Sequence, residues 1–178
     1  MCHVSWPSSR GGWKSHLQLQ DTSLRSWLTD KGSLTRKIQN CCNQFRVAII
    51  SQALAYPFTD ESAVLGLRNR RLAWVREVSL YADGCPVVYA RSVLSQESMR
   101  GAWQVLSKIG NKPIGAVLFS DPGIRRSQLV YKKLDAQHSL RHILVRNETL
   151  WARRSVFIRD KMPLLVNEVF MPEILRLA

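Results

Sequence analysis

Apolar and polar residues alternate most regularly between Leu72 and Leu94, on either side of Asp83-Gly84. Asp-Gly between two such runs predicts a β-hairpin, because a type I′ turn demands positive φ at both central residues. A two-residue loop then sets the register. Ala82 is expected opposite Cys85, Leu80 opposite Val87, Val78 opposite Tyr89, Arg76 opposite Arg91 and Trp74 opposite Val93. That register puts Arg76 and Arg91 side by side on a face that is otherwise apolar. Like charges directly opposed destabilise a sheet, and an unpaired buried cation is costly. Something anionic is therefore expected over this face, either a carboxylate of the chain or a ligand.

The same reasoning predicts a closing hairpin from Trp151–Ile158 and Leu164–Met171, with Asp160-Lys161 at its tip. Phe157 then faces Leu164, Ser155 faces Val166 and Arg153 faces Glu168. Glu168 becomes the one carboxylate on a stripe of Leu164, Val166 and Phe170. Earlier in the chain, Leu24, Trp27 and Leu28 recur at helical spacing, and Asp30-Lys31-Gly32 ends that helix. Ser33 reads as the N-cap of a second helix that turns Leu34, Ile38 and Cys41 or Cys42 one way. Phe45–Leu54 is rich in β-branched residues and reads as a strand. Residues 56–66 read as a connection. Ser95 reads as the cap of one continuous helix through Glu97, Met99, Trp103, Leu106 and Ile109 to Gly110. Turns follow at 111–113 and 120–123. Residues 124–149 are polar and basic, with a strand expected only at Leu129–Leu134. Residues 1–20 read as a loosely ordered lead-in and 21–178 as one domain. The expected fold class is α+β, an antiparallel sheet with flanking helices.

Composition narrows the partner. A chain of 178 residues with 46% apolar and 22% charged residues can bury an ordinary core. Its 26 basic against 13 acidic residues, a net charge of +13, are less ordinary and point to an anion: nucleic acid, an acidic membrane surface or a small polyanion. The arginines are scattered in ones and twos, at Arg70-Arg71, Arg125-Arg126 and Arg153-Arg154, and form no dense run. The cysteines Cys2, Cys41, Cys42 and Cys85 and the histidines His3, His16, His138 and His142 complete no metal-binding pattern. Adjacent Cys41 and Cys42 disfavour a structural disulfide, so reduced thiols in a cytoplasmic chain are expected. The first residues lack the pattern of a secretory signal, and no apolar run approaches the roughly 20 residues of a membrane span.

A family resemblance rests on several segments in order. Residues 74–78, 82–84 and 90–93 resemble the central hairpin of the chorismate pyruvate-lyase family. Lys112-Pro113-Ile114-Gly115 with Leu118-Phe119 resembles its Pro-hydrophobic-Gly turn, and residues 150–155 and 163–172 resemble its closing hairpin. The likeness runs from about Trp27 to Pro172. It implies a small α+β domain that encloses a ligand site. It implies conversion of chorismate to 4-hydroxybenzoate and pyruvate, the first step of ubiquinone biosynthesis, without cofactor or metal, by a cytoplasmic monomer. It places the substrate-binding arginine on Arg76, the carboxylate on Glu168, a backbone contact on Ile114, and a further contact, through backbone amide or side chain, on Leu34. Leu34 departs from the family, which has methionine there.

The chemistry suits these residue types. Chorismate carries two carboxylates, and a guanidinium matches a carboxylate with two parallel hydrogen bonds. Arg76 and Glu168 are the expected catalytic pair, with Leu34, Arg91 and Ile114 completing the substrate site. Glu168 could assist proton transfer from the ring hydroxyl end, or only orient a substrate whose own cyclic transition state moves the proton. Plainer roles compete: Arg76 or Arg153 in a buried ion pair with Glu168, and Leu34 and Ile114 as core residues. Two other functions compete as well. One is the small-anion effector domain of bacterial transcription regulators, which would be preceded by a winged helix where this chain shows a short lead-in and one or two helices. The other is a nucleic-acid protein, which would interleave exposed aromatics with lysine; no nucleic-acid partner is expected here.

Overall fold

The computed structural model describes residues 12–19, 21–68, 70–135, 137–141 and 149–177. Cys2, His3 and His142, with residues 1–11 and 20 of the lead-in, lie outside them. The fold is α+β. Seven antiparallel strands form one sheet: β1 (Phe45–Ala55), β2 (Ala73–Ala82), β3 (Cys85–Ser95), β4 (Arg125–Arg126), β5 (Val130–Leu134), β6 (Leu150–Arg159) and β7 (Met162–Phe170). The order is β1-β2-β3-β7-β6-β4, and β5 also lies along β6.

Both hairpin turns form as their lengths demand. Asp83 and Gly84 have φ of 47° and 82°, and Asp160 and Lys161 have φ of 49° and 63°. The second hairpin keeps the expected register, with Phe157 opposite Leu164, Ser155 opposite Val166 and Arg153 opposite Glu168. The first does not. Ala82 pairs with Cys85 and Tyr81 with Pro86, but Leu80 then pairs with Val88. Val87 is the extra residue of a β-bulge, and its carbonyl instead accepts from the Met171 amide at 3.0 Å. Pro86 supplies the reason: it has no amide to give the ladder, so pairing slips beside it. One residue of slip moves every later side chain of β3 to the other face. Arg76 therefore lies opposite Ser92, Arg91 lies opposite Glu77, and the two arginines sit on opposite faces of the sheet.

The helices cover both faces. On the Arg76 face, α1 (Thr22–Thr29) and α2 (Leu34–Gln39) start at Asp21 and Ser33, whose side-chain oxygens accept from the amides of Leu24 and Arg36. Trp27, Leu28, Leu34 and Ile38 pack there with Val47, Val78, Leu80 and Phe170. A second cluster on this face joins Trp74, Leu94, Phe157, Leu164 and Val166 to Trp103, Leu106, Ile109 and Leu118. The continuous helix expected from Ser95 to Gly110 is broken. It is α4 (Gln96–Arg100), capped by Ser95, followed by a separate 3₁₀ turn at Gln104–Lys108. At Gly101 a Cβ would stand 2.8 Å from the Met162 sulfur, so the chain turns at the one residue that lets Met162 in. A short α5 (Ile114–Leu118) follows.

The opposite face is covered by α3 (Thr59–Leu65), which lies within the stretch read as a connection. Val64 and Leu65 pack on Val75, Val93, Val156 and Leu165. Near the start of the chain, Trp13 is buried against Val130, Leu134 and Ala152, and Lys14 bridges to Tyr131. Residues 124–149 contribute two strands, β4 and β5, where one was expected. No helix among the described residues is long and apolar enough to cross a membrane.

Candidate active site

Between the two apolar clusters of the Arg76 face lies a small, largely enclosed cavity. The sheet forms its floor. Ala90 and Ser92 of β3 lie at the centre, small enough to leave a flat bed, with Val78 and Val166 beside them. Arg76 rises from β2 and Glu168 from β7, on either side of β3 and one side-chain layer apart. Two strand spacings and one layer separate their α-carbons by roughly 12 Å, room for one six-membered ring between the side chains.

Arg76 is 1% exposed, yet among the described residues no carboxylate pairs with it. Its Nε donates to Gln52 Oε1 at 3.2 Å, and its Nη2 to the carbonyls of Gly110 and Lys112 at 2.8 and 3.1 Å. These acceptors hold the guanidinium plane in place without neutralising it. Burial, unopposed, pulls its pKa down. Nη1 is left to face the cavity that Arg76 lines.

Glu168 is held from one side. Arg153 Nε donates to its Oε2 at 2.5 Å, and Arg153 Nη1 is anchored on the carbonyls of Trp27 and Asp30 at 3.0 and 2.8 Å. The carboxylate is thus fixed to the turn that ends α1, with Oε1 unclaimed among the described residues. Arg153 Nη2 is buried without a hydrogen-bond partner. Arg126 of β4 also borders the cavity, its Nη2 3.9 Å from Glu168 Oε2.

Two helix starts face the same space. Leu34 and Ile114 are the first residues of α2 and α5, and their amides precede the intrahelical ladder. Gly115 brings the two starts together: a Cβ there would stand 3.1 Å from both Ser33 Oγ and Thr35 Oγ1. Leu34, Arg76, Ile114 and Glu168 therefore line one cavity, as do Arg126 and Arg153.

Arg91 does not. On the other face its Nε donates to Glu61 Oε1 at 3.0 Å, its Nη2 to Glu61 Oε2 at 3.1 Å and its Nη1 to Glu77 Oε1 at 2.6 Å. Burial lowers the pKa of Arg91, but the two carboxylates outweigh it, and the net direction is upward. The expected pairing of Arg76 with Arg91 over one anion is corrected: the bulge at Val87 gives Arg91 to carboxylates of the chain. Sequence reasoning gave Arg153 only an ion-pair role and Arg126 no role in the site. Arg153 was legible from the second hairpin, which sets it opposite Glu168. Arg126 lies on a two-residue strand, too short to carry any periodicity.

A family model described as Chorismate lyase matches residues 8–177. A probable chorismate pyruvate-lyase of Thiobacillus denitrificans is 43% identical over 169 residues, covering 92% of this chain and 90% of its own. One from Aromatoleum aromaticum is 48% identical over 161 residues, covering 86% and 87%. Among solved structures, the PhnF C-terminal domain superposes with a TM-score of 0.60 at 14% identity, covering 89% of this chain and 95% of that one. The C-terminal domain of the histidine utilization repressor of Pseudomonas syringae gives 0.56 at 10% identity, covering 73% and 93%. At such identities these two share the fold alone. The family match from end to end, and relatives above 40% identity along most of their length, place this chain in the chorismate lyase family.

Proposed function

We propose that this protein is a chorismate pyruvate-lyase, a cofactor-independent carbon–oxygen lyase that makes 4-hydroxybenzoate and pyruvate for ubiquinone synthesis, working as a cytoplasmic monomer. One observation carries the reading within the family. The charged residues of the cavity are Arg76, Arg126, Arg153 and Glu168, a formal surplus of two positive charges in a largely apolar chamber. Chorismate brings two negative charges. Burying unbalanced charge is costly, and a dianion of the right shape removes that cost.

The ring lies on Ala90 and Ser92, with its C1 carboxylate on Arg76 Nη1 and the Ile114 amide. Its C4 hydroxyl, across the ring, donates to the free Oε1 of Glu168 near the Leu34 amide. The Glu168 carboxylate, held in place by Arg153, accepts this hydrogen bond and fixes the ring. Cleavage breaks the bond between C3 and the ether oxygen. The hydrogen on C4 passes to the methylene of the enolpyruvyl arm, the arm becomes pyruvate, and the ring becomes aromatic. Atoms and electrons balance within the substrate. The enzyme's task is to hold the arm folded over C4, which water does not do.

The test is incubation of purified protein with chorismate, followed by chromatography. Equimolar 4-hydroxybenzoate and pyruvate are expected, above the uncatalysed background. Chorismate bound tightly but left intact would overturn the reading in favour of an effector-type anion-binding domain.

A further inference from the structure

Arg126 borders two cavities. One is the chamber just described; the other is a larger, more open pocket lined by Ser15, Lys31, Ser127, Gln128, Leu129 and Tyr131. Its guanidinium is half anchored. Nε donates to Ser155 Oγ and Nη1 to the Lys31 carbonyl, both at 3.0 Å, and the faces stack near Phe119 and Phe157. Nη2 makes no hydrogen bond: Glu168 Oε2, at 3.9 Å, is too far. Arg126 is therefore a desolvated cation with a donor to spare, set in the wall between the inner chamber and a second basic pocket. Burial depresses its pKa to about 10, and the carboxylates of Glu168 and Asp30 do not restore it.

From this geometry, and resting on the proposed lyase reaction, we infer that Arg126 binds the carboxylate of the enolpyruvyl arm, and that the pocket behind it is the way out for pyruvate. The ring positions dictate this. With the C1 carboxylate on Arg76 and the C4 hydroxyl on Glu168, the ether at C3 must leave the ring beside Glu168. Arg153 is the other cation there; its Nε and Nη1 are committed to Glu168 and to backbone carbonyls, and its unpartnered Nη2 is fully buried on a side chain that borders the inner chamber but not the second pocket. Arg126 is the cation beside Glu168 that also opens onto a second space. Once the ether bond breaks, pyruvate already sits on Arg126. Rotation of that one side chain, away from Ser155 and towards Lys31 and Tyr131, carries it outward while 4-hydroxybenzoate stays on Arg76.

The inference separates substrate from product, because 4-hydroxybenzoate lacks the second carboxylate. Arg126→Gln should raise KM for chorismate by about tenfold or more, the equivalent of one charge-assisted hydrogen bond. It should change the Kd of 4-hydroxybenzoate by less than about twofold and abolish inhibition by added pyruvate. Retained 4-hydroxybenzoate binding also certifies the fold of the variant. Arg126→Lys, which keeps charge but loses the anchors on Ser155 and Lys31, should fall between. Equal losses for chorismate and 4-hydroxybenzoate, or no change in either, would overturn the assignment. If the native chain makes no 4-hydroxybenzoate at all, the lyase reading fails first, and that outcome is seen before any variant is compared.

Discussion

The two faces of the sheet each bury arginines, and they handle charge in opposite ways. On the α3 face, Arg91 and Arg154 meet Asp60, Glu61 and Glu77, with Asn167 bridging from Arg154 to Glu61. Arg91 lies 4.1 Å over Phe58, and Arg154 lies 4.1 Å over Trp13. Every charge there has an opposite within the chain. On the other face, Arg76 has carbonyls and an amide oxygen but no carboxylate, and the cavity as a whole is left two charges short of neutral. Arg76 and Arg91 come from the same hairpin and are both buried, yet burial wins at Arg76 and carboxylates win at Arg91. A charge-paired network holds a fold together, even with Arg154 Nη1 buried and unpartnered; uncompensated charge in a cavity waits for a ligand. Buried arginine alone does not distinguish the two. The missing counter-charge does.

The sharpest way to break this contrast is to remove each arginine in turn. Arg91→Met leaves Glu61 and Glu77 buried beside an apolar side chain. Deleting one partner of such a network costs about 3–5 kcal/mol. At this chain length that is a fall in Tm of roughly 6–20 °C. The fraction that remains folded should bind 4-hydroxybenzoate normally. A variant that kept its Tm and lost the ligand would show that Arg91 serves the site.

Arg76→Met should do the reverse. The ligand-free protein loses a desolvated cation and strands no carboxylate, but it leaves the Gln52 amide oxygen and the Gly110 and Lys112 carbonyls without their donor, so its Tm should fall by no more than a few degrees. Affinity for 4-hydroxybenzoate should fall about thirty- to a hundredfold, the worth of a charged pair of hydrogen bonds. Calorimetry of native and variant, each with and without ligand, checks both halves. Unchanged affinity would remove Arg76 from the clamp.

Glu168→Gln separates orientation from proton transfer. An amide oxygen can still accept from the C4 hydroxyl, but it lacks the charge that Arg153 stabilises. Affinity for product should drop only severalfold, and kcat by about tenfold. A loss nearer the hundredfold or more of general acid–base catalysis would mean that Glu168 itself moves the proton. Native turnover would leave it with no catalytic role.

What the sequence disclosed follows from how local each signal is. Both turns were legible, because a two-residue loop constrains φ on its own. The closing hairpin was legible in register, and its two-residue loop alone puts Arg153 against Glu168. The first hairpin failed at a single residue. Pro86 was in plain view, but whether a strand proline ends pairing or bulges it depends on the neighbouring strand, and here β7 takes the Val87 carbonyl through Met171. That one bulge decided which arginine belongs to the site. α3 was hidden because its first turn is stabilised by a reach-back from Glu61 to the Phe58 amide, and Glu61 is otherwise engaged by Arg91 from a distant strand. Arg126 was hidden because a strand of two residues has no period to read. Arg76, Glu168, Ile114 and Leu34 came from resemblance, and the cavity supplies the physical reason for their company.

The faintest expected effect lies at Gly115, where site and scaffold meet. Alanine is favoured over glycine in a helix by about 1 kcal/mol. Against that, its Cβ would press on Ser33 Oγ and Thr35 Oγ1 at 3.1 Å, so α2 and α5 must part by a few tenths of an ångström. The two terms nearly cancel in stability, and Tm should move by no more than a few degrees. They do not cancel in binding, because the amides of Leu34 and Ile114 are carried apart with their helices. Gly115→Ala should therefore weaken 4-hydroxybenzoate severalfold at almost constant Tm. The Arg91 side of the sheet should be unaffected, with amide exchange on β3 and α3 as in the native protein. A substitution that left affinity intact would mean the two helix starts do not act together on the ligand, and the site would reduce to its side chains.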